Sequence, residues 1–417
     1  MVDSGLIRRL DRSLGQPICF LFSLLHALTP KRSPEPVKRI LVVELFEMGA
    51  AIMASPAIRL LKTQYPQAEI YCLCTDTVRE TWALLGLIPT ENILAVESKT
   101  VSRFAFSLVS RIRQLRSLKL DLLIDLELFM RIPSIIAFLS GAKRKVGFYR
   151  HNMEGLYRGT YYDGRVAFNQ NTHISKNFLA LALAAAEPGA DYPDSKVAID
   201  PRRLTLPAYR SDPDLAAEVR RKLKRVFPDY RDQPMILVCP DVGQNLAVRN
   251  YPRESFAVAI KAILAARPDH LVVLIGTRRD QPTCQWIVGR VDHPQCIDFS
   301  GQTVSLIELL ELISMAELLI GNDNGPLHFA SMTSCRILGL FSTDSPFMYG
   351  PLGRCVVLYP FYQCSPCISA FNHKRSRCTD NRCLQTLPPE RVGDYALRLL
   401  EDKLTFHTCN NEVPYLF

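Results

Sequence analysis

The sequence predicts an α/β protein of two Rossmann-like domains facing each other across a cleft. Short apolar runs alternate with helical periodicities through two successive blocks, the pattern of parallel strands joined by crossover helices. A Pro- and Asp-rich stretch at about 186–215 separates the blocks. Several apolar runs end in turns of Asn, Asp, Gly, Ser and Thr, as the ligand edge of an open α/β sheet requires. The predicted division is an N-terminal segment and linker at 1–36, a first domain at 37–200, a second at 201–395 and a tail at 396–417.

The 417 residues suffice for two domains, and 48% hydrophobic against 22% charged residues excludes wholesale disorder. The net charge of +9 suits phosphate-bearing or membrane-surface partners. No Lys/Arg run is dense enough, and no aromatic-basic stripe is present, to argue for nucleic acid. Of the thirteen cysteines, Cys72, Cys74, Cys239, Cys335 and Cys355 sit in apolar strand-like contexts. They read as small buried hydrophobes in a reducing compartment.

The N-terminal segment begins basic, with Arg8, Arg9 and Arg12, and is largely apolar over 14–28. That run is shorter than the roughly 20 residues that cross a bilayer, and no small-residue cleavage site follows it. It reads as a helix in the membrane interface, with Arg8, Arg9, Arg12, Lys31 and Arg32 against anionic headgroups, or as a helix packed on the body of the protein.

In the first domain, residues 40–45 predict a buried parallel strand. Phe46-Glu47-Met48-Gly49-Ala50 predicts a loop, and 51–65 a helix. The junction lacks GxGxxG, so a dinucleotide cofactor is not indicated. Strands follow at 68–74 and 92–96 around a helix at 78–85. A helix at 104–118 carries Arg111, Arg113 and Arg116 on its solvated face. The strand at 121–126 ends at Glu127; Glu44, in the first strand, reads as structural. A helix at 131–139 and a strand at 143–148 continue the alternation. Residues 151–172, rich in Tyr, Arg and Gly, predict a surface loop within reach of an acceptor, and 172–185 a helix.

The second domain repeats the pattern. Helices are predicted at 213–226, 253–266, 281–291 and 305–316. Strands at 235–238 and 270–275 end in Pro240-Asp241-Val242-Gly243-Gln244-Asn245 and Gly276-Thr277-Arg278. A strand ending at Gly321 then leads through Asn322-Asp323-Asn324-Gly325-Pro326 into a helix carrying His328. Asp323 or Asn324 suits the cap and Pro326 the first turn. Free backbone N–H groups there face an anion, and His328 lies close enough to donate to a phosphate. An ordinary βα loop is the alternative. The buried strand at 337–341 and the polar turn at 342–346 beside it favour a ligand edge.

The second half resembles glycosyltransferase family 9, the lipopolysaccharide heptosyltransferases. The matching residues are Ser300-Gly301-Gln302-Thr303, the helix at 306–316, Gly321 to His328, and Leu340-Phe341 with Gly350-Pro351. The first half matches at 40–45, Gly49, Ser55-Pro56-Ala57-Ile58 and 121–126. The resemblance covers about 39–397 and implies a GT-B fold. It also implies an inverting, metal-independent transfer of a sugar, typically heptose from ADP-heptose, to a lipid A–core or related lipid-linked glycan. The expected place is the cytoplasmic face of the inner membrane, with no cofactor required. The donor diphosphate would meet Asp323, Asn324, Gly325 and His328. Arg249, in Val248-Arg249-Asn250-Tyr251-Pro252, would stabilise the leaving diphosphate. Thr277 and Glu308 would contact the nucleoside.

One departure matters. Family members carry Gly-Asp in the first loop, and that Asp is the proposed general base; here the pair is Gly49-Ala50. Glu47 is the nearest carboxylate, and a raised pKa would suit it to the task. Otherwise the base lies elsewhere, or the chain is a non-catalytic nucleotide-sugar- or glycan-binding relative. Cys364-Ser365-Pro366-Cys367, with Cys378, Cys383 and the intervening His373, reads as a four-thiolate structural zinc site, as disulfides, or as free thiols. Residues 387–400 predict a last helix, which in GT-B folds crosses back to the first domain.

Overall fold

A computed structural model describes residues 9–28, 36–149, 156–186, 196–242, 248–369, 376–403 and 415–416. Outside them lie Arg8, Lys31, Arg32, His373, the turn Gly243-Gln244-Asn245, most of the first half of the predicted linker and most of the tail. The chain divides into two compact units, the boundary falling between Thr205 and Leu206. Both are parallel α/β layers of Rossmann type, the architecture of GT-B enzymes.

The first unit holds β1 (Arg39–Val43), β2 (Glu69–Thr75), β3 (Ile93–Val96), β4 (Leu122–Asp125), β5 (Arg144–Tyr149) and β6 (Gly164–Ala167). All pair in parallel in the order β3-β2-β1-β4-β5-β6. The sheet order reverses direction between β1 and β4, and ligands of open α/β sheets bind beyond the strand C-termini at such a point. The predicted loop at 46–50 is instead the start of a helix, Met48–Met53, so Gly49 is helical. A second helix, Ser55–Gln64, follows at once. Pro56 has no N–H to donate back into the preceding turn, which breaks what the periodicity predicts as one helix.

The N-terminal segment packs on this unit. Asp11 is buried, and its Oδ1 accepts from the backbone N–H groups of Arg131 (2.7 Å) and Ile132 (2.9 Å). It thereby satisfies open donors at the start of the helix Ile132–Leu139. Gly15 allows the approach, since a Cβ there would lie 2.9 Å from Arg131 Cδ. In the helix Gln16–Ala27, Cys19 is buried and Phe22 stacks on Phe138 at 4.2 Å. The opposite side presents Leu14, Phe20, Leu21, Leu24, Leu25 and Leu28 to solvent. Among the described residues, no helix is long and apolar enough to cross a membrane.

Residues 156–163 are not the surface loop the composition suggests. Arg158, Tyr161 and Tyr162 are buried, and Tyr161 and Tyr162 join the core formed by Leu41, Val43, Leu123 and Ile136. The reason is a carboxylate under the sheet edge: Asp125 is fully buried and takes hydrogen bonds from Arg158 Nη2 and the Tyr162 hydroxyl. Unpaired, such a charge is costly in a low dielectric, so the aromatic and basic residues fold inward to meet it.

The second unit holds β7 (Met235–Cys239), β8 (Leu271–Leu274), β9 (Cys296–Asp298), β10 (Leu318–Asn322), β11 (Arg336–Leu340), β12 (Cys355–Leu358) and the short β13 (Tyr415–Leu416). Their parallel order is β13-β12-β11-β10-β7-β8-β9, reversing between β7 and β10. The connection from the first unit is tied down by buried Glu311, which accepts from Tyr209 Oη (2.6 Å), Ser211 Oγ (2.6 Å) and Asp212 N (3.2 Å). The last long helix, Pro389–Leu400, belongs to the second unit. It packs Val392, Ala396 and Leu399 with Ile260 and Ile263 of the helix Arg253–Ala266, inside its own unit.

Candidate active site

Each unit carries polar side chains at its own reversal point. In the second, the loops after β7 and β10 are stapled together by asparagines. Asn322, fully buried, donates to Pro240 O (2.8 Å) and accepts from Tyr251 N (3.0 Å). Asn324 donates to Asp241 O (3.1 Å) and Cys239 Sγ (3.2 Å). Asn324, one of the two cap candidates, is the cap residue of the helix Gly325–Ala330, but its side chain makes no capping bond. Its amide is committed across the reversal point instead.

This staple fixes Arg249 over the same edge. Arg249 Nη1 lies 3.4 Å from Asp323 Oδ2, and Nη2 donates to Asp344 Oδ2. The Arg249 side chain is only 14% exposed and that of Asp344 only 2%, so the cluster is shielded. Thr343 Oγ1 also donates to Asp344, at 3.2 Å. His328 is buried within the short helix. Beside the cluster, at the end of β7, an open cavity of about 580 Å³ is lined by Pro240, Asp241, Asn250, Tyr251 and Arg253. The structure thus gathers Arg249, Asp323 and Asn324 at the edge where β7 and β10 end, with Gly325 and His328 on the helix that leaves it. It adds Asp344, which the sequence marks only as part of a polar turn.

Thr277 and Glu308 both have local protein partners. Thr277 donates through its N (2.6 Å) and Oγ1 (2.8 Å) to Asp280, shaping the turn after β8. Glu308 binds Lys222 Nζ at 2.9 Å and accepts from Val304 N at 2.7 Å. Burial pushes its carboxyl up, but Lys222 and the Val304 N–H outweigh burial and hold it below the usual range. Ser305 Oγ accepts from Glu308 N (3.3 Å), so Ser305 and Glu308 both serve the start of the helix Leu306–Ser314. A structural role accounts for every contact described for Glu308.

The cysteines of the C-terminal cluster flank residues 370–375, which lie outside the described residues. Among the described residues, no three His, Cys, Asp or Glu side chains are placed to hold a metal. Cys364 and Cys378 are exposed, Cys383 is buried, and all are free thiols with Cys367. Cys378 Sγ donates to Asp380 O at 2.7 Å, and Cys367 Sγ accepts from Ser376 Oγ at 3.3 Å. Burial raises the Cys367 thiol, and Cys378, Cys383 and Cys364 lie close enough to add to that rise. The five strand-context cysteines, by contrast, are buried as their apolar neighbours predict.

In the first unit, carboxylates gather where β1 and β4 end. Glu44 is buried and its Oε1 accepts from Glu47 N (3.2 Å). Glu47, half-buried, precedes the helix Met48–Met53 and makes no capping bond. Glu127 is 6% exposed, and its Oε1 accepts from Leu45 N at 2.9 Å. Burial, then the charges of Glu47 and Asp125, push Glu127 up to about 7 against the opposing Leu45 N–H and Arg158. Burial works against the Arg158 cation, but Asp125, Tyr162 and Glu127 keep its pKa above the ordinary value. Sequence reasoning names Glu47 and misses Glu127. Its signal was an acid directly after an apolar strand, indistinguishable there from any strand-end acid.

The profile of glycosyltransferase family 9 (heptosyltransferase) matches residues 108–375, more than half of the chain. A lipopolysaccharide core heptosyltransferase of Haemophilus influenzae is 23% identical over 320 residues, 76% of this chain and 82% of that protein. Lipopolysaccharide heptosyltransferase 3 of Escherichia coli is 24% identical over 308 residues, 73% and 83% respectively. Among solved structures, an Escherichia coli ADP-heptose lipopolysaccharide heptosyltransferase II superposes with a TM-score of 0.63 at 18% identity, covering 88% of this chain and 99% of its own. A family 9 glycosyl transferase from Veillonella parvula gives 0.66 at 19%, covering 88% and 97%. These likenesses to solved structures establish the fold.

Proposed function

Because the chain belongs to glycosyltransferase family 9, we propose that it transfers a heptose from ADP-heptose, with inversion and without a metal, to a lipopolysaccharide-core or related lipid-linked glycan. The observation that carries this is Arg249, held by Asp323 and Asp344 at the reversal point of the second sheet. A leaving diphosphate needs positive charge where its bridging bond breaks, and a shielded guanidinium supplies it without a metal. Asn324, Gly325 and His328 flank the same edge. In the first unit, Glu47 would take the acceptor proton in place of the family's Asp. The electron pair freed on the acceptor oxygen forms the new bond to the anomeric carbon, the old bond breaks, and a single displacement inverts that centre.

The test is thermal stabilisation across ADP-heptose and UDP- and GDP-sugars, followed by transfer with the best donor in excess EDTA. Stabilisation grows as the logarithm of ligand over its dissociation constant, so the true donor stands out. His328→Ala should weaken that stabilisation, and EDTA should leave transfer unchanged. Loss of transfer on chelation would overturn metal independence. Donor binding without transfer would instead favour the non-catalytic reading that Ala50 raises.

We also assign the enzyme to an anionic membrane surface, at the cytoplasmic face where its acceptor would be made. Seven of the fifteen exposed large apolar side chains among the described residues fall within residues 10–28, with Arg9 and Arg12 exposed beside them. Such a face gains from the interface, and basic residues add headgroup attraction. Deleting the segment would strip Asp11 from Arg131, so the cleaner variant is Leu21→Glu with Leu24→Glu and Leu28→Glu. Wild type should sediment with vesicles containing phosphatidylglycerol, and this variant should remain in the supernatant at unchanged thermal stability. Equal sedimentation of both would remove the helix from membrane binding.

A further inference from the structure

At the reversal point of the first sheet, two acids from different strands converge. Glu127 leaves β4 and Glu47 follows β1, and the Glu127 carboxylate is anchored to Leu45 N–H, two residues before Glu47. Asp125 faces Glu127 from β4, and Arg158 donates from below to the Glu127 carbonyl and to Asp125. Tyr162 adds its hydroxyl to Asp125, and Glu44 accepts from Glu47 N. Four carboxylates thus share one edge, and Arg158 is hydrogen-bonded into it through Asp125. Two adjacent carboxylates in a shielded site do not both ionise readily; one proton between them relieves the repulsion.

We propose that Glu127 is a positioning residue that shares the transferred proton with Glu47, so that the two acids together replace the single carboxylate missing at Ala50. The inference rests on the family reading of transfer given above. With Glu127 ionised, its charge makes Glu47 a stronger base. The acceptor hydroxyl loses its proton to Glu47 as its oxygen bonds to the anomeric carbon. The anomeric carbon–phosphate oxygen bond breaks, and its electron pair leaves with the nucleoside diphosphate. The proton passes from Glu47 to Glu127, and returns to water through Glu47 after products depart. Nothing beyond donor and acceptor is consumed.

The burial and neighbouring charges that raise Glu127 to about 7 set the pH at which this exchange operates. Below that pH Glu127 already holds a proton and cannot receive one, so turnover should show an acid limb centred near 7. Glu127→Gln keeps an acceptor for Leu45 N–H. It should lower kcat by about 10²-fold, the scale of a general acid–base contribution. It should also remove the acid limb and leave the donor KM unchanged.

A second readout needs no turnover. In carboxyl-13C glutamate NMR of the full chain, one glutamate should titrate near pH 7. That resonance should vanish in Glu127→Gln and move toward the ordinary glutamate range in Glu47→Gln. The proposal is overturned if every glutamate titrates in the ordinary range, if Glu47→Gln leaves the midpoint in place, or if Glu127→Gln keeps the limb. Wild-type protein that transfers from no donor would defeat the functional reading, while the NMR titration still decides the carboxylate pair.

Discussion

Arg249→Ala is expected to reduce transfer by about 10²–10³-fold in kcat, equivalent to about 3–4 kcal/mol of lost transition-state stabilisation. The side chain is 14% exposed and lies against Asp323 and Asp344. Its charge would therefore act in a weakly screened setting, where one donor counts for more than in water. Removing it has two consequences that must be separated. The leaving diphosphate loses its cation, and two carboxylates are left facing an anionic donor. The second effect alone would weaken donor binding without touching the chemical step.

The companion variant Arg249→Ala with Asp344→Asn resolves this, because it relieves the carboxylate excess without restoring the guanidinium. Donor affinity should recover in the double variant, and kcat should not. Arg249→Lys keeps the charge but loses the fork that reaches both Asp323 and Asp344, so it should fall between wild type and alanine. If the double variant regains full kcat, Arg249 only balances its neighbours and does not stabilise the leaving group.

What could be read from the sequence divides along physical lines. Parallel strands buried on both faces are continuous apolar runs, so Ile40 to Val43 and Met235 to Cys239 declared themselves. Helix positions followed from periodicity, as at Arg253–Ala266 and Gln281–Val291. Asp323 came from the turn chemistry after its strand, and Arg249 from a resemblance carried by local motifs. Their partner Asp344 is 95 residues from Arg249 in the chain, and no local pattern joins them. Residues 156–163 misled for a related reason. Tyr, Arg and Gly look like surface composition, and only the buried Asp125 under β4 explains why Arg158 and Tyr162 turn inward. At Glu308 the ties to Ser305 and Val304 are local, whereas its partner Lys222 lies 86 residues away and no spacing announces it. Pairings across a sheet's reversal point are long-range, and a single sequence carries no record of them.

Arg158→Met should be the most destabilising single change in the first unit, costing about 3–5 kcal/mol, because it strands a buried carboxylate without its cation. Asp125 is fully buried, and Arg158 ties it to Met130 O (2.9 Å) and to the Glu127 carbonyl. The sign of the pH dependence follows from Asp125. Burial already raises its pKa in the folded protein, against the pull of Arg158 and Tyr162. Removing Arg158 raises it further. A carboxyl raised on folding contributes stability only below its unfolded pKa and loses it as pH climbs through the folded value. The deficit of the variant should therefore be larger at pH 8 than at pH 5. Thermal unfolding of wild type and Arg158→Met at both pH values measures this, and equal losses would show that packing rather than charge dominates. Asp125→Asn in the Arg158→Met background should recover part of the loss, since the stranded charge is then gone. Because Arg158 also pulls Glu127 down, its removal should move the Glu127 titration above about 7, carrying the acid limb of transfer upward with it.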